Sequence, residues 1–235
     1  MKLAKRTLRA LGYNVIKIAP NTDPWARRIA LIRREAVDLV IDVGAHTGGF
    51  GAALLRAGYK GRLLSFEPQA TALKALYQKA AMQPRWSVEP VALASDDGIR
   101  TFYISSRSST SSLSEMTEPA QTAAAVSKMI PVKVAVRRLD SFIDKHKLDD
   151  RKIYLKCDVQ GAEEEVIMGS LSVLQNVKCV EVELSIAPVY KTQWDLTKAM
   201  KWFELNNFEP WSIEAGFADP HTGRVMQVDG VFRRI

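Results

Sequence analysis

Residues 39–54 read LVIDVGAHTGGFGAAL: an apolar run carrying one acid, Asp42, followed by a cluster of glycines from Gly44 to Gly51. Such a run predicts a strand that turns sharply into a helix. The glycines allow a tight turn and let a ligand approach the backbone without a Cβ in the way. In dinucleotide enzymes this turn aims helix N–H groups at a pyrophosphate. Their G-x-G-x-x-G fingerprint needs a glycine where His46 stands here, which argues against that use.

Beyond this stretch, apolar runs of strand length alternate with helical patterns. The spacing predicts a helix over 50–57, a strand over 63–67, a helix over 71–82 and a strand over 86–92. Residues from about 96 to 138 differ in character, with RTFYIS, the serine-rich SSRSSTSSLS of 105–114, an alanine-rich piece and PVKVAV. They read as an inserted β segment between the third and fourth core strands. Alternation resumes with IYLKC (153–157), a helix over 162–168, KCVEVEL (178–184) and a helix over 194–206. Two strands, 209–213 and 225–233, flank the turn formers Asp219, Pro220 and Gly223. The pattern specifies an α/β fold: an open, mostly parallel sheet, helices on both faces and a C-terminal antiparallel hairpin.

A chain of 235 residues, 47% hydrophobic and 25% charged, is long enough to bury a core as one domain, placed at 37–235. Residues 1–36 are expected to form a basic helical segment packed on it. Ala4, Leu8, Leu11, Val15 and Ile18 keep helical spacing beside Lys2, Lys5, Arg6 and Arg9. A weak peripheral membrane contact through residues 1–18 is the alternative to packing. The excess of 33 Lys+Arg over 26 Asp+Glu, net +7, favours acidic partners. Aromatics are not interleaved with the charges, which disfavours nucleic acid. Cys157 and Cys179 each sit in an apolar run and form no C-x-x-C pair, so neither a disulfide nor a metal site is expected, and a reducing cytoplasm is the default. No run approaches the ~20 apolar residues of a membrane span.

In an open α/β sheet the ligand lies off the carboxyl ends of the strands. At those ends stand Asp42 to Gly48, Glu67, Ala92, Asp158 and Glu183. An acid ahead of the glycines would repel a pyrophosphate but suits a ligand bearing an ammonium group. S-adenosylmethionine has an ammonium, a carboxylate and a sulfonium. Glu67 follows Gly44 by 23 residues, close to the ~20-residue interval at which an acid accepts ribose hydroxyls.

Several motifs, in order, carry a resemblance: D-V-G-A-x-x-G, R-L-L-S-F-E-P, V-A-L, R-R-L-D-S-F and L-K-C-D-V-Q-G-A-E-E-E-V-I-M-G. Over residues 40–169 the chain resembles the FkbM-type family of S-adenosylmethionine-dependent methyltransferases. The first two motifs are shared by most Rossmann-like methyltransferases, whereas D-V-x-G-A-E after an apolar strand is much more specific. His46 departs from the family's Asn, yet can still donate to a cofactor carboxylate.

The resemblance implies a class I (Rossmann-like) methyltransferase fold and O-methylation of a hydroxyl on a sugar, glycan or other small-molecule natural product. It implies that Asp42, Gly44, Ala45, His46 and Gly48 line the methionine end of S-adenosylmethionine, that Glu67 takes the ribose, and that Ala92 lies near the adenine. Asp158 is expected near the transferable methyl. Candidates for the general base are Asp158, His46 and Glu183, with His221 as an outsider in a turn. Glu163 is expected either to act in the site or to cap its helix. No second and third carboxylate stands at ligand spacing from Asp158, so no metal is expected. The serine-rich insertion (108–112) is expected to contribute acceptor selectivity. His146, within DKHKLDD, reads as a solvated helix end. An RNA methyltransferase and a non-catalytic binding protein docked at a membrane are the alternative readings.

Overall fold

The computed structural model describes residues 2–13, 15–106, 110–124, 126–187, 189–220 and 222–235. At its centre is a seven-stranded sheet built from β1 (Leu39–Val43), β2 (Arg62–Phe66), β3 (Trp86–Glu89), β7 (Ile153–Cys157), β8 (Val177–Ser185), β9 (Phe208–Ala215) and β10 (Gln227–Arg234). Its strand order is β3-β2-β1-β7-β8-β10-β9. The first five strands pair in parallel, and β10 runs antiparallel to both β8 and β9. Three further strands, β4 (Ala92–Leu93), β5 (Gly98–Ser105) and β6 (Met129–Arg137), form a separate sheet in the order β4-β6-β5. This is the inserted β segment expected between core strands three and four.

The apolar runs are continuous because both faces of the parallel strands are covered. Val40, Tyr154, Cys179 and Val231 face α2 (Pro24–Arg34), α3 (Gly49–Arg56) and α4 (Ala70–Ala81), packing with Ile29, Leu54 and Leu76. Ile41, Val43, Leu155, Val180 and Val182 face the other way. They pack with Val166 and Ile167 of α7 (Glu163–Met168) and Phe203 of α8 (Leu196–Leu205). Phe203 also stacks on Phe232 of β10 with ring centroids 4.0 Å apart, which ties α8 to the reversed strand. Asp195 starts α8 by accepting from the Lys198 N–H at 2.9 Å, so the helix begins two residues after the expected Trp194.

The structure corrects three expectations. The run 86–92 is two strands, not one: Pro90 has no N–H for the ladder, β3 ends before it, and Ala92–Leu93 pair with β6 instead. His146, at the end of α6 (Ile143–His146), is buried, with Nε2 2.8 Å from Glu89 Oε1. A helix end rich in charge pattern is here turned inward by a carboxylate partner on β3.

The N-terminal segment also divides. Residues of α2 are buried in the core, whereas α1 (Lys2–Ala10) and the chain after it leave Leu8, Leu11, Tyr13, Val15, Ile16 and Ile18 exposed. Gly12, at φ +84°, follows the end of α1, its N–H bonding the Arg9 carbonyl and that of Tyr13 the Leu8 carbonyl. Among the described residues no helix is long and apolar enough to cross a membrane.

Candidate active site

Strand register builds the site. Val43 of β1 pairs with Phe66 of β2 and with Cys157 of β7, and Cys157 pairs with Val182 of β8. The next residue of each strand therefore stands in one row along the carboxyl edge: Glu67, Gly44, Asp158 and Glu183. The row continues across the hairpin, because Glu183 pairs with Asp229 and Asp229 with Glu214. No local sequence pattern states this alignment, since it depends on parallel pairing across crossovers.

A cavity of about 250 Å³ opens above the β2, β1 and β7 end of this row. Gly44, Ala45, His46, Glu67, Ala92 and Asp158, all expected from the sequence, line it. Val91, Ala92 and Leu93, with Phe66 and with Phe102 and Leu113 of the insertion, make an apolar slot at one end. Lys156, Asp158 and Gln160 make the polar opposite end.

Glu67 is nearly buried, and each of its oxygens accepts one backbone N–H: Oε2 from His46 and Oε1 from Gln69, both at 2.7 Å. These bonds fix the carboxylate and leave it lone pairs on the cavity side. Burial pushes its pKa up, and the two N–H donors oppose that rise. His46 occupies a left-handed conformation (φ +48°) that lets its N–H reach Glu67. Burial lowers the His46 pKa, with the nearby Asp158 charge opposing, which favours the uncharged imidazole.

The D-V-Q-G-A-E loop is held by its own side chains. Glu163 accepts from the N–H of Val159 at 3.0 Å and from that of Gly161 at 3.0 and 3.1 Å. It is buried, its pKa is pushed up to about 7 by that burial, and it does not line the cavity. Of the two roles expected for it, the geometry shows the structural one. Gln160 stands at φ +61°, donating from Nε2 to Asp158 Oδ1 (2.7 Å) and Glu183 Oε2 (3.0 Å), while Oε1 accepts from Tyr190 Oη (2.5 Å). Ser112 of the insertion donates to the Val159 and Gln160 carbonyls at 3.0 and 2.6 Å, clamping the loop from above.

Beneath the cavity runs a stripe of buried charge. Asp42, fully buried, lies with Oδ1 3.1 Å from Lys156 Nζ, and the same ammonium is 3.4 Å from Asp158 Oδ2. The Asp42 contact is ionic, and both Asp42 oxygens are left without a hydrogen-bond donor among the described residues. Further along, Arg28 of α2 grips Glu181 with two hydrogen bonds, and Tyr154 Oη donates to Glu181 at 2.6 Å. Burial pushes the Asp42 pKa up while Lys156 opposes it. The neighbouring Asp42 and Asp158 carboxylates hold the Lys156 ammonium above its ordinary range despite burial.

Three expected residues stand outside the cavity. Asp42 is sealed below it and reaches it only through Lys156. Gly48, at φ +76°, faces Leu76 and Trp86, so its lack of a Cβ serves helix packing. Glu183 lies behind Gln160 and also accepts from Gln227 Nε2 at 2.7 Å. His221 and Ser108 lie outside the described residues. Lys156 and Gln160 are functional residues beyond those expected from sequence, yet each carries a signal there: a lysine inside the apolar run IYLKC, and a long amide before a turn glycine. Among the described residues no group of three or more His, Cys, Asp or Glu is arranged to hold a metal.

A sheet that is parallel except for one reversed strand second from its edge, with a glycine turn after β1, an acid after β2 and a cavity spanning both, defines a class I methyltransferase fold. The family model of the methyltransferase FkbM domain matches residues 42–210, and the chain belongs to that family. Among solved structures, the FkbM methyltransferase from Methylobacillus flagellatus KT is similar at TM-score 0.51 and 15% identity, over 83% of this chain and 43% of that one. The chain thus spans less than half the length of that relative. TehB from Haemophilus influenzae is similar at TM-score 0.50 and 9% identity, over 98% of this chain and 67% of that one. At such identities the likeness is one of fold. No curated protein matches.

Proposed function

We propose that this methyltransferase uses S-adenosylmethionine and methylates a hydroxyl on a sugar, glycan or other small natural product. The observation that carries the reading is that one cavity is lined by both the fixed Glu67 carboxylate and Asp158. The residues fit the cofactor. Glu67 retains acceptor capacity for ribose hydroxyls, the Val91–Leu93 and Phe102 slot suits an adenine, and the end near Gly44, His46, Lys156 and Asp158 suits an amino acid moiety. Bound there, the cofactor would supply an electrophilic methyl group on a sulfonium.

The chain's own work is positioning and proton handling. Holding an acceptor hydroxyl near the reacting methyl supplies much of the barrier reduction, and a base adds roughly 10²–10⁴-fold. Asp158 is the favoured base: it lines the cavity, remains partly exposed, and is oriented by Gln160 Nε2 and Lys156 Nζ. His46, in the same wall and with its uncharged form favoured, is the second candidate. Glu183, covered by Gln160, supports Asp158 through that amide.

The carboxylate row Asp158, Glu183, Asp229 and Glu214 argues against RNA as acceptor despite the net charge of +7. A peripheral membrane contact is supported by the exposed Leu11, Ile16 and Ile18 beside Arg9 and Lys17. Calorimetry with S-adenosylmethionine and S-adenosylhomocysteine tests the central reading. One-to-one binding of both is expected, and absence of binding by both would overturn it.

A further inference from the structure

A second cleft, of about 520 Å³, opens on the far side of Phe50 from the first cavity. Its walls come from α2, the start of α3, and residues of β7, β8, β9 and β10 with Asp158. Gly49, Phe50, Lys156 and Asp158 line both spaces, so a molecule seated in the cleft meets the first cavity at Asp158.

Charge pairing accounts for most of the ionic groups in the cleft. Arg28 is taken by Glu181, Glu214 accepts from Arg27 Nη1 at 2.7 Å, and Lys156 lies between Asp42 and Asp158. The Asp229 carboxylate has no hydrogen-bond or ion-pair partner among the described residues, yet lines the cleft half-buried. Four carboxylates (Asp158, Glu181, Glu214, Asp229) face two cations (Arg28, Lys156). A phosphate or carboxylate entering here would meet a net negative wall and leave Asp229 unpaired, which is costly for a buried group. A hydroxyl or ammonium donor would satisfy it.

The cleft also holds a rigid apolar surface. Trp25 and Phe50 pack with centroids 5.5 Å apart, and the Arg28 guanidinium lies 4.5 Å from the Trp25 centroid, holding the indole in place. Both rings remain partly exposed to the cleft. An aromatic surface beside an unpartnered carboxylate suits a ring with an apolar C–H face and a polar edge.

Resting on the methyltransferase reading above, we propose that this cleft is the acceptor subsite. It takes an uncharged or amine-bearing hydroxylated ring, packed against Trp25 and Phe50 and oriented through its hydroxyls by Asp229. Acceptor selection then comes from the N-terminal helix α2 and the C-terminal hairpin. Of the serine-rich insertion, expected from sequence to contribute to this, Ser112 holds the loop that carries Asp158 and Ser111 lines the first cavity.

Saturation-transfer NMR on the full chain, saturated with S-adenosylhomocysteine, tests this. The probes are the methyl glycosides of glucose, mannose, galactose and fucose, myo-inositol, glucosamine, and glucose 6-phosphate. Signal is expected from at least one uncharged ring or from glucosamine, with glucose 6-phosphate at least about tenfold weaker than that best probe. Asp229→Ala and, separately, Trp25→Ala should each weaken binding about tenfold or more, with S-adenosylhomocysteine affinity unchanged as proof of folding. Should Trp25→Ala not fold, Asp229→Ala decides alone. Silence from every ring, binding unaltered by Asp229→Ala, or equal binding of the phosphate would each overturn the proposal while leaving the cofactor reading intact. Failure of S-adenosylhomocysteine to bind the wild type overturns both.

Discussion

The carbonyl oxygen of Asp158 lies 1.9 Å from where a Cβ on Gly44 would stand. The glycine that looks like a ligand-approach position is thus also a strand-contact position, where the turns after β1 and β7 touch. Gly44 further holds φ +77°, a conformation unfavourable for any side chain. Gly44→Ala is expected to destabilise the protein by about 3–5 kcal/mol and to abolish S-adenosylhomocysteine binding. Urea denaturation beside calorimetry reads both, and a variant of normal stability would contradict this.

Glu67→Gln keeps the side chain's size but replaces one acceptor oxygen by an amide that faces a backbone N–H. It also removes the charge that would hold ribose hydroxyls. S-adenosylhomocysteine affinity should fall roughly 10–100-fold, measured by calorimetry. An unchanged affinity would mean that Glu67 is only a brace for the His46 and Gln69 backbone.

Lys156→Met leaves Asp42 as an uncompensated buried carboxylate. The expected cost is about 3–5 kcal/mol. Adding Asp42→Asn removes the orphaned charge, so the double variant should cost clearly less than the sum of the singles. Strict additivity in denaturant titrations would show that the Asp42–Lys156 contact contributes nothing.

Stability should fall as pH rises through the neutral range. Burial pushes the Glu163 pKa up to about 7 and that of Asp229 up to about 6, both above the ordinary carboxylate range. Asp42, Glu67 and Glu183 are raised for the same reason. An acid with a raised folded pKa binds its proton more tightly when folded, so its contribution is greatest below the unfolded pKa and is lost as pH rises through the folded one. Asp97 and Asp195, held low by backbone N–H donors, act oppositely but only in the acid range. The denaturation midpoint should therefore drop between about pH 5 and pH 7.5, and Glu163→Gln should flatten part of that slope. A midpoint rising over this interval would refute the assignment.

Leu11 and Ile18 are 68% and 74% exposed, with Arg9 and Lys17 close in sequence. The full chain should co-sediment with vesicles containing anionic lipid, and salt should weaken that binding. Leu11→Asp combined with Ile18→Asp should reduce it several-fold. Equal sedimentation with neutral and anionic vesicles would rule out the basic contribution.

Much of this molecule is determined by local sequence. β1 and β7 fall at 39–43 and 153–157 as their apolar runs foretell, because a strand covered on both faces is mostly apolar, with the paired Asp42 and Lys156 as the exceptions. Glu67 and Asp158 were legible as strand-end acids, and the D-V-Q-G-A-E motif marked its turn. Tertiary structure decided which end residues face the cavity. Register brings Glu67, Gly44 and Asp158 side by side from positions up to 114 residues apart, and burial then sorts them. Asp42 is sealed below with Lys156, Glu163 is turned onto its own loop, and Glu183 is covered by Gln160. The pairing of α2 with the hairpin, which encloses Asp229, lies further still from any local signal. Side-chain chemistry is written residue by residue, but a cavity wall is made by contacts between distant segments, and those depend on the packing of the whole sheet.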